Sequence, residues 1–135
     1  MRDVLYLTAE ELNLSFVTTS ALYNEKEINI HMVKSFEDSF NMLEFKKVDI
    51  IVSSYYLDPP DTGEAFWSLF NLWRHKYNSL PFVIFTASVE EIPMAVRSQT
   101  NFYIIDKIIN YQSLVPTILE VTSNKGGPGR LCTPI

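Results

Sequence analysis

Cysteine is almost absent from this 135-residue chain: the single one is Cys132. That excludes a disulfide scaffold and leaves neither a metal pair nor a redox pair, and it suits a reducing compartment. Glycine is nearly as scarce, with four residues, of which only Gly63 precedes position 126. A glycine-rich phosphate-cradling loop is therefore missing, which argues against a nucleotide- or flavin-binding relative. No apolar run reaches membrane-spanning length. Met1-Arg2-Asp3-Val4 leads straight into an apolar segment and lacks a signal-peptide layout. The reading is a cytoplasmic chain. Basic charge is also in deficit, at eleven Lys and Arg against sixteen Asp and Glu. Two of those bases, Lys125 and Arg130, lie in a C-terminal stretch without acids, so the body holds nine bases against sixteen acids. Such a body repels phosphate backbones and anionic lipid, and no nucleic-acid or membrane partner is expected. The only basic doublet is Lys46-Lys47.

What is abundant is core material. Hydrophobic residues make up 47% of the chain and aromatic ones 13%, which rules out disorder for the body. The length suits one domain.

The apolar pattern alternates between two kinds of segment. Val4–Leu7, Ile28–Val33, Val48–Val52, Phe82–Phe85 and Phe102–Ile105 are short runs with strand character. Ile28–Val33 has the more polar face and suits an edge. Between them, helical spacing recurs. Leu12, Phe16 and Tyr23 mark a helix over 10–23. Ser35 caps the next, whose buried stripe is read as Phe36, Phe40 and Leu43. Asp61 and Glu64 have capping-box spacing ahead of a helix carrying Phe66, Phe70, Trp73 and Tyr77 on one face. Trp67 falls off that face and is expected to be an exposed contact. Ser88 and Glu91 repeat the box, but Pro93 makes the following helix short or irregular. A last helix starts near Ser113, with Pro116 tolerated in its first turn.

Strict βα alternation demands a parallel sheet with helices on both faces. The commonest solution at this length is the flavodoxin-like α/β sandwich with strand order 2-1-3-4-5. Residues 1–122 form that domain. Residues 123–135, holding the other three glycines, read as a flexible tail or linker start. In such a fold the functional cleft lies at the C-terminal strand ends. The residues there are Thr8-Ala9-Glu10 after the first strand, Ser53-Ser54 after the third, Thr86-Ala87-Ser88 after the fourth and Asp106-Lys107 after the fifth.

This ordered set resembles the receiver domains of two-component signalling. Asp49-Ile50-Ile51-Val52 leading to Ser54, Phe85-Thr86-Ala87, and Lys107 beyond them carry the resemblance, with Leu57, Asp61 and Gly63 echoing the loop after the phosphorylated aspartate. The departures fall on the chemistry. Ser54 stands where the family has its phosphoacceptor Asp, and the acidic pair that helps hold Mg²⁺ falls on Thr8-Ala9, or on Ala9-Glu10 with a register shift. Mg²⁺ wants hard oxygen ligands, usually including one or two carboxylates. Thr86 and Lys107 remain as the hydroxyl and the cation of a vestigial pocket with Ser54 and Glu10. Ile108 replaces the family's cis-proline.

The resemblance implies a degenerate, non-phosphorylatable receiver that is not an enzyme, uses no metal or other cofactor, and acts through a protein partner or as a homodimer. The face formed by the fourth helix, fifth strand and fifth helix is the one receivers use for partners. Here it includes Tyr103, Ile108, Ile109 and Tyr111. Two alternatives stand beside this reading: an atypical phosphoacceptor using Asp58 or Ser54, and a small flavodoxin-like enzyme. Serine hydrolysis has little support, because His31 and His75 both lie away from the strand ends.

Overall fold

The computed structural model describes residues 2–8, 27–55 and 63–123. The expected helix over 10–23, with Glu10, and the loop carboxylates Asp58 and Asp61 lie outside these residues, as does the tail with Cys132. Five parallel strands form one sheet: β1 (Arg2–Leu7), β2 (Ile28–Val33), β3 (Ile50–Ser53), β4 (Phe82–Thr86) and β5 (Phe102–Asp106). Their order is β2-β1-β3-β4-β5, the order expected from the sequence, with β2 on one edge. The intervening helices are α1 (Phe36–Phe45), α2 (Glu64–Lys76), the four-residue α3 (Met94–Arg97) and α4 (Leu114–Ser123), with short 3₁₀ turns at Val89–Glu91 and Tyr111–Ser113.

The pleat sorts the strand side chains into two cores. Leu5, Leu7, Ile51, Phe82, Ile84, Phe102 and Ile104 pack on one face with Leu43 of α1, Val96 of α3 and Phe66, Leu69, Phe70 and Trp73 of α2. Val4, Tyr6, Ile50, Val52, Val83, Phe85, Tyr103 and Ile105 face the other way, onto Leu114 and Ile118 of α4. Strands buried on both faces are why their sequences read as unbroken apolar runs.

Local details depart from the sequence reading in three places. On α1, Phe40 is 38% exposed and Ser39 takes the buried position, its hydroxyl donating to the Ser35 carbonyl at 3.1 Å. Ser35 does cap this helix, accepting from the Asp38 N–H at 3.1 Å. At the start of α2 the cap is Gly63 and no side chain bonds there, so Glu64 is the first helical residue and not the far member of a capping box. Gly63 sits at φ 88°, left-handed backbone that glycine enters without steric cost. Ser88 likewise makes no side-chain cap bond.

At the lower end of the sheet, the Asp3 carboxylate accepts from Asn29 Nδ2 at 3.0 Å and pairs with His31 Nε2 at 3.2 Å. The hydrogen bond from His31 is the main cause that holds the Asp3 carboxyl below its ordinary value, with Asn29 adding to it. A carboxyl depressed in the folded state contributes stability above its unfolded pKa and loses it as pH falls through the folded value. Asp3→Asn is therefore expected to cost about 1 kcal/mol or less near neutrality, since the pair is partly solvated. Urea melts of both forms should show this gap closing below roughly pH 4; a gap that widens in acid would contradict the assignment.

Candidate functional site

The strand ends gather a set of hydroxyls and one cation. The Ser54 N–H donates to the Leu7 carbonyl at 3.0 Å, continuing the β1–β3 ladder one residue past β3. That bond fixes Ser54 against the end of β1. Its side chain is 2% exposed, and its Oγ donates to Thr8 Oγ1 at 3.2 Å. Ser53 Oγ donates to the Ser54 carbonyl at 2.8 Å. Thr8 is itself fully buried, with its N–H on the Val33 carbonyl at 3.0 Å.

On the neighbouring strands, Thr86 and Asp106 are register partners at the ends of β4 and β5. The Thr86 hydroxyl accepts the Ser88 N–H at 3.0 Å, so it ties down its own loop, while the Thr86 carbonyl accepts the Lys107 N–H at 3.0 Å. Lys107 is 2% exposed, and its ammonium stands 5.5 Å from the centre of the Phe85 ring. Ser54, Thr86 and Lys107 thus sit at the ends of three adjacent strands, β3, β4 and β5. Asp106 turns its carboxylate to the chain after it, accepting the N–H groups of Ile108 at 2.9 Å and Ile109 at 3.1 Å.

The described oxygen donors at the ends of β1 and β3 are Thr8, Ser53 and Ser54. They are neutral hydroxyls, and two are bonded to each other. They do not fit the carboxylate-bearing Mg²⁺ site of the receiver pattern. Among the described residues no three His, Cys, Asp or Glu side chains group closely enough to hold a metal ion. Neither histidine approaches Ser54. His31 lies within the edge strand on Asp3, and His75 is in the last turn of α2, which runs away from the strand ends.

The face suggested for partners is corrected in one member. Tyr103 is buried, packed on the α4 side of β5 with Ile105, because alternation along the strand turns both inward. Ile108 and Ile109, by contrast, are 54% and 71% exposed, and Tyr111 opens the 3₁₀ turn that follows. Trp67 is no free contact either: it is half-buried, edge-on to Phe66 at 5.3 Å and to Tyr55 at 6.4 Å. Two features escaped the sequence reading. Thr8 is the bonding partner of Ser54, a pairing the register Leu7↔Ser53 places but spacing alone does not. Met94, exposed at the start of α3, broke no periodic pattern.

Comparison with known proteins adds to this geometry. No family model matches the sequence, and no curated protein matches it. Solved structures do. A sensor protein from Polaromonas sp. JS666 superposes with a TM-score of 0.68 at 14% identity, over 93% of this chain and 98% of that one. A response regulator receiver protein from Sinorhizobium medicae WSM419 gives 0.67 at 17% identity, over 92% and 96%. A two-component response regulator from Clostridium difficile gives 0.67 at 16% identity, over 94% and 99%. Likeness at such low identity speaks to architecture, and the architecture is clear: this chain has the fold of the response-regulator receiver domains.

Proposed function

We propose that residues 1–122 form a receiver-like regulatory domain of bacterial signalling that takes no phosphate and acts by binding another protein in the cytoplasm, with 123–135 as its tail. The observation that carries the reading is Ser54. Ser54, which the resemblance to receivers sets at the acceptor position, is a buried neutral hydroxyl bonded to Thr8. Phosphoryl transfer is mostly positioning plus stabilisation by metal and cationic charge. A cation, Lys107, and a hydroxyl, Thr86, remain at the strand ends, but an acceptor carboxylate and a metal cage are missing from the described residues. The domain has no catalytic role in this reading and needs no cofactor. The exposed Ile108 and Ile109, held by Asp106, are the contact offered to a partner or a second copy.

The test is labelling by acetyl phosphate with Mg²⁺, read by intact mass on wild type, Ser54→Ala and Ser54→Asp. None is expected to gain a phosphate. Calorimetry should give Mg²⁺ affinity no tighter than about millimolar, given the donor set. A stoichiometric adduct on wild type that vanishes in Ser54→Ala overturns the proposal in favour of a serine acceptor. One that survives there and vanishes in Asp58→Asn assigns the acceptor to Asp58. Ser54→Ala itself removes one hydroxyl–hydroxyl bond and should cost about 1 kcal/mol or less.

A further inference from the structure

The acidic average of the chain conceals a basic corner. The last turn of α2 carries Arg74, His75 and Lys76, and Lys46-Lys47 follow α1. These segments are far apart in sequence, and the fold joins them. Lys76 Nζ donates to Glu44 Oε2 at 2.5 Å across the two helices, and the Tyr77 hydroxyl bonds the same oxygen. Four of the eleven Lys and Arg residues therefore stand at one end of the α1–α2 pair, all exposed. Of the acids at this end, Glu44 holds Lys76 and Tyr77, Asp3 pairs with His31, and Asp49 accepts the Asp3 N–H at 2.8 Å. Setting aside these four bases and Glu44, the rest of the chain has seven bases against fifteen acids.

Beside these bases, at the end of α1, stands Phe45, 82% exposed, the most exposed large hydrophobic side chain among the described residues. The helix dipole accounts for basic residues in a last turn. It gives no reason for a bare phenyl ring beside them. An exposed aromatic ring followed directly by two exposed lysines has the composition of a docking surface with an apolar centre and a polar rim.

We propose that this corner binds an acidic segment of a partner protein, with Phe45 packing on an apolar residue of that segment, Lys46 and Lys47 pairing with its carboxylates, and Arg74, whose guanidinium lies 5.8 Å from the centre of the Phe70 ring, adding to the positive field. Charge complementarity selects the occupant. A short acidic segment fits within the basic corner. A long polyanion does not, because beyond a screening length of about 8 Å it meets the acidic remainder of the molecule. The surface is separate from Ile108 and Ile109, which follow the C-terminal end of β5, whereas α1 and α2 end near the N-terminal ends of the strands, at the starts of β3 and β4.

The experiment uses the full chain and fluorescence anisotropy of a fluorescein-labelled peptide of Glu-Glu-Leu repeats. Duplex DNA and vesicles of phosphatidylcholine with phosphatidylserine are titrated at the same salt. The peptide is expected to bind, and to weaken as salt rises. Lys46→Glu with Lys47→Glu should weaken it roughly tenfold or more, since like charges now face each other. Phe45→Ser should weaken it severalfold. These exposed substitutions leave the fold in place, because Lys46 caps α1 through its backbone N–H on the Met42 carbonyl; near-ultraviolet circular dichroism checks this. The proposal is overturned if the peptide does not bind, if the variants bind it as wild type does, or if DNA or vesicles bind more tightly.

Discussion

Phe82→Ala is expected to remove about 3–5 kcal/mol of folding stability. Phe82 is fully buried at the start of β4 and touches four aromatic neighbours. Its ring stacks on Phe102 of β5 at 5.4 Å between centroids and meets Trp73 at 5.2 Å, Phe66 at 6.0 Å and Phe70 at 6.2 Å, all three on α2. Alanine there opens a cavity walled by large rigid rings and strand backbone, which collapse poorly, so the loss exceeds the transfer term alone. Domains of this kind hold about 5–15 kcal/mol in total, so the substitution takes a large share. Urea denaturation at neutral pH should show a lower midpoint with an unchanged slope. Phe82→Leu keeps most of the volume and should cost less than half as much. A loss below about 1 kcal/mol for Phe82→Ala would mean that the five rings do not pack as described.

Those same rings explain what the sequence made plain. Phe66, Phe70 and Trp73 recur at helical spacing, and Phe82 and Phe102 open apolar runs, so element type could be read from period and a parallel sheet from the alternation, while the strand order followed from the commonest topology for that pattern. Periodicity could not separate Phe40 from Ser39. Both lie within one residue of the stripe, and a serine that bonds back to the Ser35 carbonyl loses its polar cost when buried. Nor could it place the α2 cap, because Asp61 and Glu64 have the right spacing while Gly63 has the backbone freedom, and the turn went to the glycine. At the strand ends, Ser54, Thr86 and Lys107 were legible as positions. The hydroxyl bond between Ser54 and Thr8 joins residues 46 apart and belongs to the fold. The basic corner was invisible for the same reason. Lys46-Lys47 is an ordinary doublet until Lys76 reaches Glu44 across the helix pair.

On the function proposed above, Ile108→Asp combined with Ile109→Asp is expected to weaken partner binding at the end of β5 strongly while leaving the domain folded. Both side chains stand in solvent, at 54% and 71% exposure, so folding gains little from them, and surface changes of this kind usually stay within about 0.5 kcal/mol. Their backbone is nonetheless fixed. The Asp106 carboxylate accepts both N–H groups, so the aliphatic pair is presented in one geometry and loses little freedom on docking. Truncating a central anchor of an interface costs about 2 kcal/mol or more, and a carboxylate placed against an apolar partner surface adds its own desolvation. The double variant should lose at least about thirtyfold in affinity. Tyr103 cannot serve as the probe: it is buried against α4, and Tyr103→Ala would weaken the fold and binding together. The measurement is sedimentation velocity of the full chain with capture from native lysate quantified by mass spectrometry, wild type beside the double variant. Lys46→Glu with Lys47→Glu is the second arm, and proteins lost only there belong to the basic corner. If the isoleucine variant stays folded, sediments as wild type does and captures the same proteins, the binding surface is not at the end of β5.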